Sequence, residues 1–316
     1  MKRFKNILLV CDFKTKQNMA VERAVSLAQQ NEALLTVITV VKEIPSKMSM
    51  AITAVTPQEL FELVINDRRE KVDTLVTDIR KQGVDARSLV VTGTPFLEII
   101  RQVLRDKHDL VILAAEGKGG IKKRLFGSTS MHLMRKCPCP VWVVKQAQTW
   151  PYTRILAAVD PSTSGTECDS LNPLILQLAG SMASKEAGEL HVIHVWHLFG
   201  ERYVLRIYGM TEDEIQKARE QERLRHRKYL NTLLEQVDVT ELKPHLHLIE
   251  GDPVERIPEL VVEQGIDLLV MGTVCRTGIG GFLIGNTAEE VLNQIDCSVL
   301  TVKPEGFVTP VVLEDV

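Results

Sequence analysis

Two glycine-containing stretches of the sequence have the composition of an anion-binding loop. Each follows a short apolar run and leads into Gly-Ser-Thr or Gly-Asn-Thr at the start of a helical pattern. Glycines let backbone N–H groups approach an anion, and a helix N-terminus adds unpaired donors and the positive end of its dipole. A phosphate cradle is one interpretation, and a surface turn with an ordinary helix cap is the other. The residues concerned are Gly117, Lys118, Gly127, Ser128 and Thr129 in the first stretch and Gly272, Gly285, Asn286 and Thr287 in the second.

An aspartate follows the first apolar run of each half of the chain, at Asp12 and Asp160. A carboxylate in this position accepts hydrogen bonds from an exocyclic amine, such as that of adenine, or it caps the following turn. The residue type alone leaves both roles open.

Five histidines of the second half are candidates for metal binding. His191, His194 and His197 lie on or just after one apolar run, and His245 and His247 alternate on a later one. If the two runs are neighbouring strands, His191, His245 and His247 meet on one face, where imidazoles can bind zinc. Because no cysteine or acidic partner is evident, a structural histidine patch is the preferred interpretation, and no metal is predicted.

Other chemistry-bearing patterns favour structural roles. Cys137 and Cys139 are separated by a single residue, and buried apolar use of the thiols is favoured over metal or redox chemistry. Mixed charges at helical spacing in 219–228 are typical of a solvated helix face, so no nucleic acid is predicted. The sequence has no Gly-x-Ser-x-Gly, Walker or His-Glu-x-x-His motif, and it nominates no catalytic residue.

The elements that must position these residues occur twice. Ile7–Asp12 matches Ile155–Asp160 at an offset of 148, and Gly93–Lys145 matches the later chain at a constant offset of 158 with 15 identities in 53 positions. Roughly 3 or 4 identities are expected by chance. We therefore predict tandem copies of one domain, at 1–147 and 152–316, with a linker over 146–153 and a C-terminal tail at 304–316.

Each copy alternates apolar runs with helical patterns. Continuous apolar runs are typical of strands buried on both faces of a parallel sheet. Thr56, Pro57 and Glu59 have the pattern of a capping box at the start of a helix of about 25 residues, and the run from Thr211 to Glu214 repeats it. In the first copy, strands are predicted at Asn6–Val10, Leu34–Val41, Ser88–Val91, Asp109–Leu113 and Val141–Val144, and helices at Met19–Gln30, after Thr56, at Phe96–Leu104 and at Ser130–Lys136.

This alternation predicts an α/β fold of two tandem doubly wound domains, each a five-stranded parallel sheet flanked by helices. Ligands of such sheets bind beyond the carboxyl ends of the strands. The apolar runs are too short to cross a bilayer, so no membrane insertion is predicted. Sparse cysteines and the lack of a signal-peptide pattern favour the cytoplasm.

The two copies carry opposite charge. Residues 1–149 hold 24 Lys and Arg against 15 Asp and Glu, and the rest hold 14 against 26, so the formal charges are +9 and −12. An anionic ligand on the basic copy is one interpretation, and attraction between the copies or solvated helix faces is the other.

Both glycine-containing stretches resemble the ATP-binding signature of the universal stress protein family, which reads Gly, two residues, Gly, nine residues, Gly, then Ser or Thr. The first copy departs from it at Ala114, and the second departs at Cys275 and Asn286. A Gly-x-Pro motif recurs in both copies, at Gly93 and Gly251. The runs Met131–Trp142, Gly285–Glu290 and Val302–Val311 are similar to the tandem E-type members of that family.

The resemblance implies the strand order 3-2-1-4-5 and a nucleotide at the carboxyl edge. In the family, the aspartate after strand 1 and backbone groups at the end of strand 2 hold adenine, and the loop after strand 4 holds ribose and phosphates. Lys118 and three further basic residues at 122–124 favour the first copy as the anion binder. The residues implied for adenine are Asp12 and Val40 in the first copy and Asp160 and Val195 in the second.

The resulting hypothesis is a cytoplasmic stress-response protein that binds ATP or another adenine nucleotide, with or without Mg²⁺, or a related small phosphorylated metabolite, and signals through a protein partner. The copies are expected to form an intramolecular pseudo-dimer, with a further homodimer as an option. The alternatives are a weak ATPase that uses the same loop, and a carrier or scaffold for an apolar ligand at the loop Gly280–Ile284 of the second copy.

Overall fold

The computed structural model describes residues 3–13, 18–43, 56–115, 126–145, 151–161, 170–198, 211–273 and 285–313. These residues divide into two compact units. The first comprises the described residues up to Lys145 together with 307–313, and the second those from Pro151 to Gly306. The predicted domain boundaries stay a prediction.

The first unit contains a parallel sheet with helices between its strands. Its elements are β1 (Asn6–Val10), α1 (Asn18–Asn31), β2 (Leu34–Val41), α2 (Pro57–Lys81), β3 (Ala86–Thr92), α3 (Pro95–Asp106), β4 (Leu110–Ala114), α4 (Ser128–Lys136) and β5 (Val141–Val144). The strands pair in the order β3-β2-β1-β4-β5, all in parallel.

The second unit repeats this arrangement. Its elements are β6 (Arg154–Ala158), α5 (Leu171–Glu186), β7 (Glu189–Trp196), α6 (Glu212–Val237), a 3₁₀ turn (Thr240–Leu242), β8 (His245–Glu250), α7 (Pro253–Glu263), β9 (Leu268–Gly272), α8 (Asn286–Gln294) and β10 (Ser298–Val302). The order is β8-β7-β6-β9-β10, again parallel. The predicted fold class and the strand order 3-2-1-4-5 are therefore confirmed for both copies.

The central strands form the core of each unit. Three consecutive residues of β1, Ile7, Leu8 and Leu9, are all fully buried, which requires cover on both faces of the sheet. The predicted strand at 88–91 is longer in the structure and begins at Ala86. β3 is an edge strand, and the two residues after Ala86, which are Arg87 and Ser88, are polar and exposed. The apolar pattern therefore does not extend to the start of the strand.

Both predicted capping boxes are present. Thr56 accepts a hydrogen bond from the backbone N–H of Glu59 at 3.2 Å, while the Glu59 carboxylate accepts one from the Thr56 N–H at 2.8 Å. Thr211 and Glu214 make the same pair of bonds, at 3.4 and 2.8 Å. Among the described helices, none is both long enough and apolar enough to cross a membrane.

Candidate functional site

The residues predicted to hold adenine lie at the carboxyl edge of the first sheet. Val10, the last residue of β1, pairs with Ile38 on one side and with Leu113 on the other. Asp12 and Val40 therefore extend beyond the same edge at which β4 ends. Both are half-buried, which leaves them partly accessible to a ligand.

A glycine fixes the end of the second strand in each unit. The Gly93 N–H donates to the Val41 carbonyl at 3.0 Å, and the Gly251 N–H donates to the Trp196 carbonyl at 2.9 Å. Their φ angles of +133° and +145° lie in the region that favours glycine. The recurring Gly-x-Pro motif thus positions the strand end that follows Val40 and Val195.

The backbone of Asp160 is held by a residue that the sequence did not nominate. The Asn172 side chain accepts from the Asp160 N–H and donates to the Asp160 carbonyl, both at 2.8 Å. The Asp160 carboxylate lies 3.9 Å from His194 Nδ1. In the sequence, an amide side chain that makes this pair of hydrogen bonds cannot be distinguished from an ordinary polar residue near a helix start.

The helix after the fourth strand opens at the same edge in each unit. α4 begins after Gly127 and α8 after Gly285, and neither glycine position supplies a side-chain cap. The Gly127 carbonyl accepts from the Met131 N–H at 3.0 Å, and the Gly285 carbonyl accepts from the Glu289 N–H at 3.1 Å. As at any helix N-terminus, the first amides of each helix have no acceptor within the helix, and such amides can donate to an anion.

The two helix starts differ in charge. The first turn of α4, all of which is described, contains no acidic residue, whereas Glu289 lies in the first turn of α8. A carboxylate there interacts with the positive end of the helix dipole and repels an anion. In addition, the guanidinium of Arg68 lies 5.8 Å from the centre of the ring of Phe13, the residue that follows Asp12 in sequence. At the start of the helix after the fourth strand, a carboxylate thus opposes an anion in the second unit, and none does so in the first turn of α4.

Gly272 has a packing role that sequence reasoning missed. A Cβ atom at this position would lie 2.6 Å from Cδ2 of Leu171, which is closer than real contacts allow. The glycine therefore lets α5 pack against the end of β9. A ligand is not needed to explain it.

One buried lysine follows the last strand of each sheet, and both lysines were also missed. Lys145 Nζ lies 4.6 Å from the centre of the Phe126 ring, and Lys303 Nζ donates to the hydroxyl of Thr273. They recur at the offset of 158, so the repeat itself was the signal that could have found them.

Several predicted site features lie outside the described residues. These are Gly117, Lys118, the basic residues at 122–124, Cys275 and the apolar loop Gly280–Ile284. The remaining predicted residues that the structure brings to the carboxyl edges are Ser128, Thr129 and Thr287 with those discussed above.

The cysteines and histidines take distinct environments. Cys137 and Cys139 have their sulfurs 3.6 Å apart without a disulfide, and their mutual hydrogen bond and burial raise the pKa of Cys139. Such a thiol stays protonated and is a poor nucleophile or metal ligand.

His191 and His245 are register partners on β7 and β8, which confirms that the two histidine runs are neighbouring strands.

The structure is a doubly wound α/β domain that is present twice, and sequence comparison gives its family. The universal stress protein family profile matches residues 3–145 and again residues 151–303. The chain therefore belongs to the universal stress protein family, as a tandem member of the E type.

Relatives and solved structures agree with this assignment. Universal stress protein E of Escherichia coli K12 is 28% identical over 318 residues, covering 100% of this chain and 99% of that protein. The corresponding protein of Photorhabdus laumondii is 25% identical over 315 residues, covering 98% of each. A putative universal stress protein from Pseudomonas aeruginosa superposes with a TM-score of 0.72 at 25% identity, covering 97% of this chain and 95% of that one. One from Archaeoglobus fulgidus, at 20% identity and covering 95% and 98%, shares the fold with a TM-score of 0.64.

Proposed function

We propose that this chain binds an adenine nucleotide, or a related phosphorylated metabolite, at the carboxyl edge of its first unit, and that the bound state alters its contact with a protein partner in a stress response. The observation that carries the proposal is the start of α4, whose first amides are not capped by any side chain of the described residues, at the edge where Asp12 and Val40 also lie. Phosphate oxygens are natural acceptors for such amides.

Each part of the nucleotide has a counterpart in the first unit. The Asp12 carboxylate would accept from the exocyclic amine of adenine, and backbone groups of Val40 would bond the ring edge. Gly127, Ser128 and Thr129 would supply backbone and hydroxyl donors to the phosphates, together with Gly117 and Lys118 from the preceding loop. Mg²⁺ would neutralise part of the phosphate charge.

The second unit offers a weaker version of the same site. Its counterparts are Asp160, Val195, Gly272, Gly285, Asn286 and Thr287. Glu289 at the start of α8 opposes an anion, and the net charge of this half is negative. We therefore propose that the first unit is filled at lower ligand concentration. The cytoplasm is the proposed location, because Cys11, Cys137 and Cys139 are thiols.

A matched pair of valine substitutions tests the proposal by calorimetry of ATP, ADP and AMP binding to the full chain. Gly127 and Gly285 have φ angles of −61° and −59°, so valine strains neither backbone and acts by blocking close approach. Gly127→Val is expected to abolish the tighter binding, and Gly285→Val is expected to leave it intact. The reverse pattern would move the site to the second unit. Absence of binding of all three nucleotides to the unsubstituted chain would refute an adenine nucleotide as the ligand.

A further inference from the structure

Four side chains of types that can bind metals share one face of the second sheet. They lie near the amino ends of its strands, opposite to the carboxyl edge described above. Glu189 and His245 are the first residues of the parallel neighbours β7 and β8, so they lie at the amino edge. His191 is two residues after Glu189 and is the register partner of His245, while His247 is the partner of Ile193. Alternation along a strand therefore directs Glu189, His191, His245 and His247 to the same face.

Three of these side chains are close enough to share one ion. Ligand atoms of Glu189, His191 and His245 all lie within 4.8 Å of one another. The rings of His191 and His245 stack with centres 4.8 Å apart. Glu189 and His245 are exposed, whereas His191 is 3% exposed, so the ligand set is anchored at one buried nitrogen and is open to solvent at the other two groups.

A contact with His247 can orient the buried histidine for metal binding. His191 Nδ1 lies 3.0 Å from His247 Nε2, so one of these nitrogens donates to the other. In the described part of the chain, His191 Nε2 has no hydrogen-bond partner and lies 3.6 Å from a carboxylate oxygen of Glu189. If Nδ1–H donates to His247, the Nε2 lone pair faces the same space as the Glu189 carboxylate. A cation between them would satisfy both groups.

The first unit fills the equivalent position with a cation of its own. Thr36 and Arg87 are register partners on β2 and β3, as His191 and His245 are on β7 and β8. Arg87 Nε donates to Thr36 Oγ1 at 2.8 Å, and its guanidinium forms an ion pair with Asp106. The second unit has imidazole lone pairs where the first has a guanidinium, so it leaves this position to an external cation.

We propose that Glu189, His191 and His245 form a binding site for a divalent cation of the zinc class, with His247 holding the orientation of His191. Two imidazoles and a carboxylate suit Zn²⁺, and a fourth position stays open to water. The ion would join the edge strand β8 to β7.

Binding needs only small movements of exposed groups. Tetrahedral Zn²⁺ at its usual bond lengths has ligand atoms about 3.3 Å apart, so they must close by about 1.5 Å from their widest separation. Glu189 must also leave the guanidinium of Arg154, whose Nε lies 3.5 Å from it; both side chains are about half exposed.

The test titrates the full chain with ZnCl₂ by calorimetry and with CoCl₂ by absorption spectroscopy. Glu189→Gln and His245→Gln alter exposed side chains, so the fold is expected to persist, and each should weaken binding more than about 10-fold. His247→Gln should weaken it about 10-fold through loss of orientation. Arg154→Gln should tighten it several-fold, because the competing ion pair is removed. His197→Gln, an exposed histidine at the other end of β7, should leave it unchanged.

A double substitution that copies the equivalent pair of the first unit, here called the graft, distinguishes the proposed site from any other metal site in the chain. His191→Thr with His245→Arg installs the Thr36–Arg87 pair, and this variant should keep the circular dichroism spectrum of the parent and lose the tetrahedral cobalt bands. The proposal is overturned if the parent chain binds neither metal, if the graft binds as the parent does, or if the cobalt spectrum shows thiolate charge transfer, which would place the ion at cysteines.

Discussion

Lowering the pH is expected to weaken the second unit through a buried histidine pair on the other face of β7. His194 Nε2 lies 2.7 Å from His226 Nδ1 of α6, so one nitrogen donates and the other accepts. Adding a proton to the pair creates a positive charge in a site where His194 is 1% exposed, and protonating both rings would place two N–H groups against each other. The uncharged pair is therefore the form that the fold accommodates.

The magnitude follows from the pKa of His194, which burial and the neighbouring His226 lower from 6.5 to about 4. In the unfolded chain the group titrates near 6.5 again, so the unfolded state binds the proton more readily between these values. Stability is thus complete above about pH 6.5 and falls as the pH drops toward 4. The full loss is about 3 kcal/mol, of which about 2 kcal/mol has occurred by about pH 5. Burial also lowers the pKa of His226, which adds a loss of the same sign.

Urea unfolding monitored by tryptophan fluorescence at about pH 7.5 and about pH 5 measures this loss. Trp196 stacks on His226 with ring centres 5.6 Å apart, so its emission reports on the second unit. Replacing Trp142 and Trp150 by phenylalanine leaves Trp196 as the single fluorophore. A local reporter is needed because a chain of two units need not unfold in one step.

His194→Gln provides the decisive comparison, since glutamine keeps a polar group near His226 but does not titrate in this range. The variant is expected to lose about 2 kcal/mol less than the parent between the two pH values. His197→Gln, which replaces an exposed histidine, should behave as the parent does. An equal loss in parent and His194→Gln would refute the assignment of acid sensitivity to this pair.

Three further substitutions test local features. Thr211→Ala should lower the free energy of unfolding of the second unit by about 1 kcal/mol in urea titrations, while Thr211→Ser, which keeps the hydroxyl, should cost little. Gly272→Ala should cost about 1–3 kcal/mol through its clash with Leu171, and adding Leu171→Ala should recover part of that loss, which a double-mutant cycle would show as coupling. Asn172→Ala removes both bonds to the Asp160 backbone and should cost about 1–3 kcal/mol; no change in unfolding would contradict that role.

The architecture was predictable because the sequence pattern that encodes it occurs in both halves of the chain. Continuous apolar runs set the central strands, and β1, β2 and β5 coincide with the predicted ranges. The edge strand β3 was harder to predict, since it exposes polar residues that interrupt the apolar pattern. The strand order required the family resemblance, because pairing between distant runs is not encoded in local periodicity.

The sequence nominated candidate site residues only where one residue type carried the signal. Asp12 and Gly127 stood out by position, but Asn172 and Lys303 act through partners that are distant in sequence. The sheet face that carries His191, His245 and His247 shows this limit most clearly. Glu189 is the acidic neighbour that the sequence seemed to lack, since it is an unremarkable first residue of β7 until strand pairing brings it to His245.

The contrast between capped and uncapped helices has a consequence for amide hydrogen exchange. The first amides of α2 and α6 are bonded to capping-box side chains, so their exchange rates should not depend on ligand. Among the described residues, no side chain caps those of α4 and α8, so an anion bound at either helix start would supply an acceptor. Protection that appears in the peptide at the start of α4 or of α8 would thus identify the occupied unit in the unmodified protein, and the two capping boxes would serve as its internal reference.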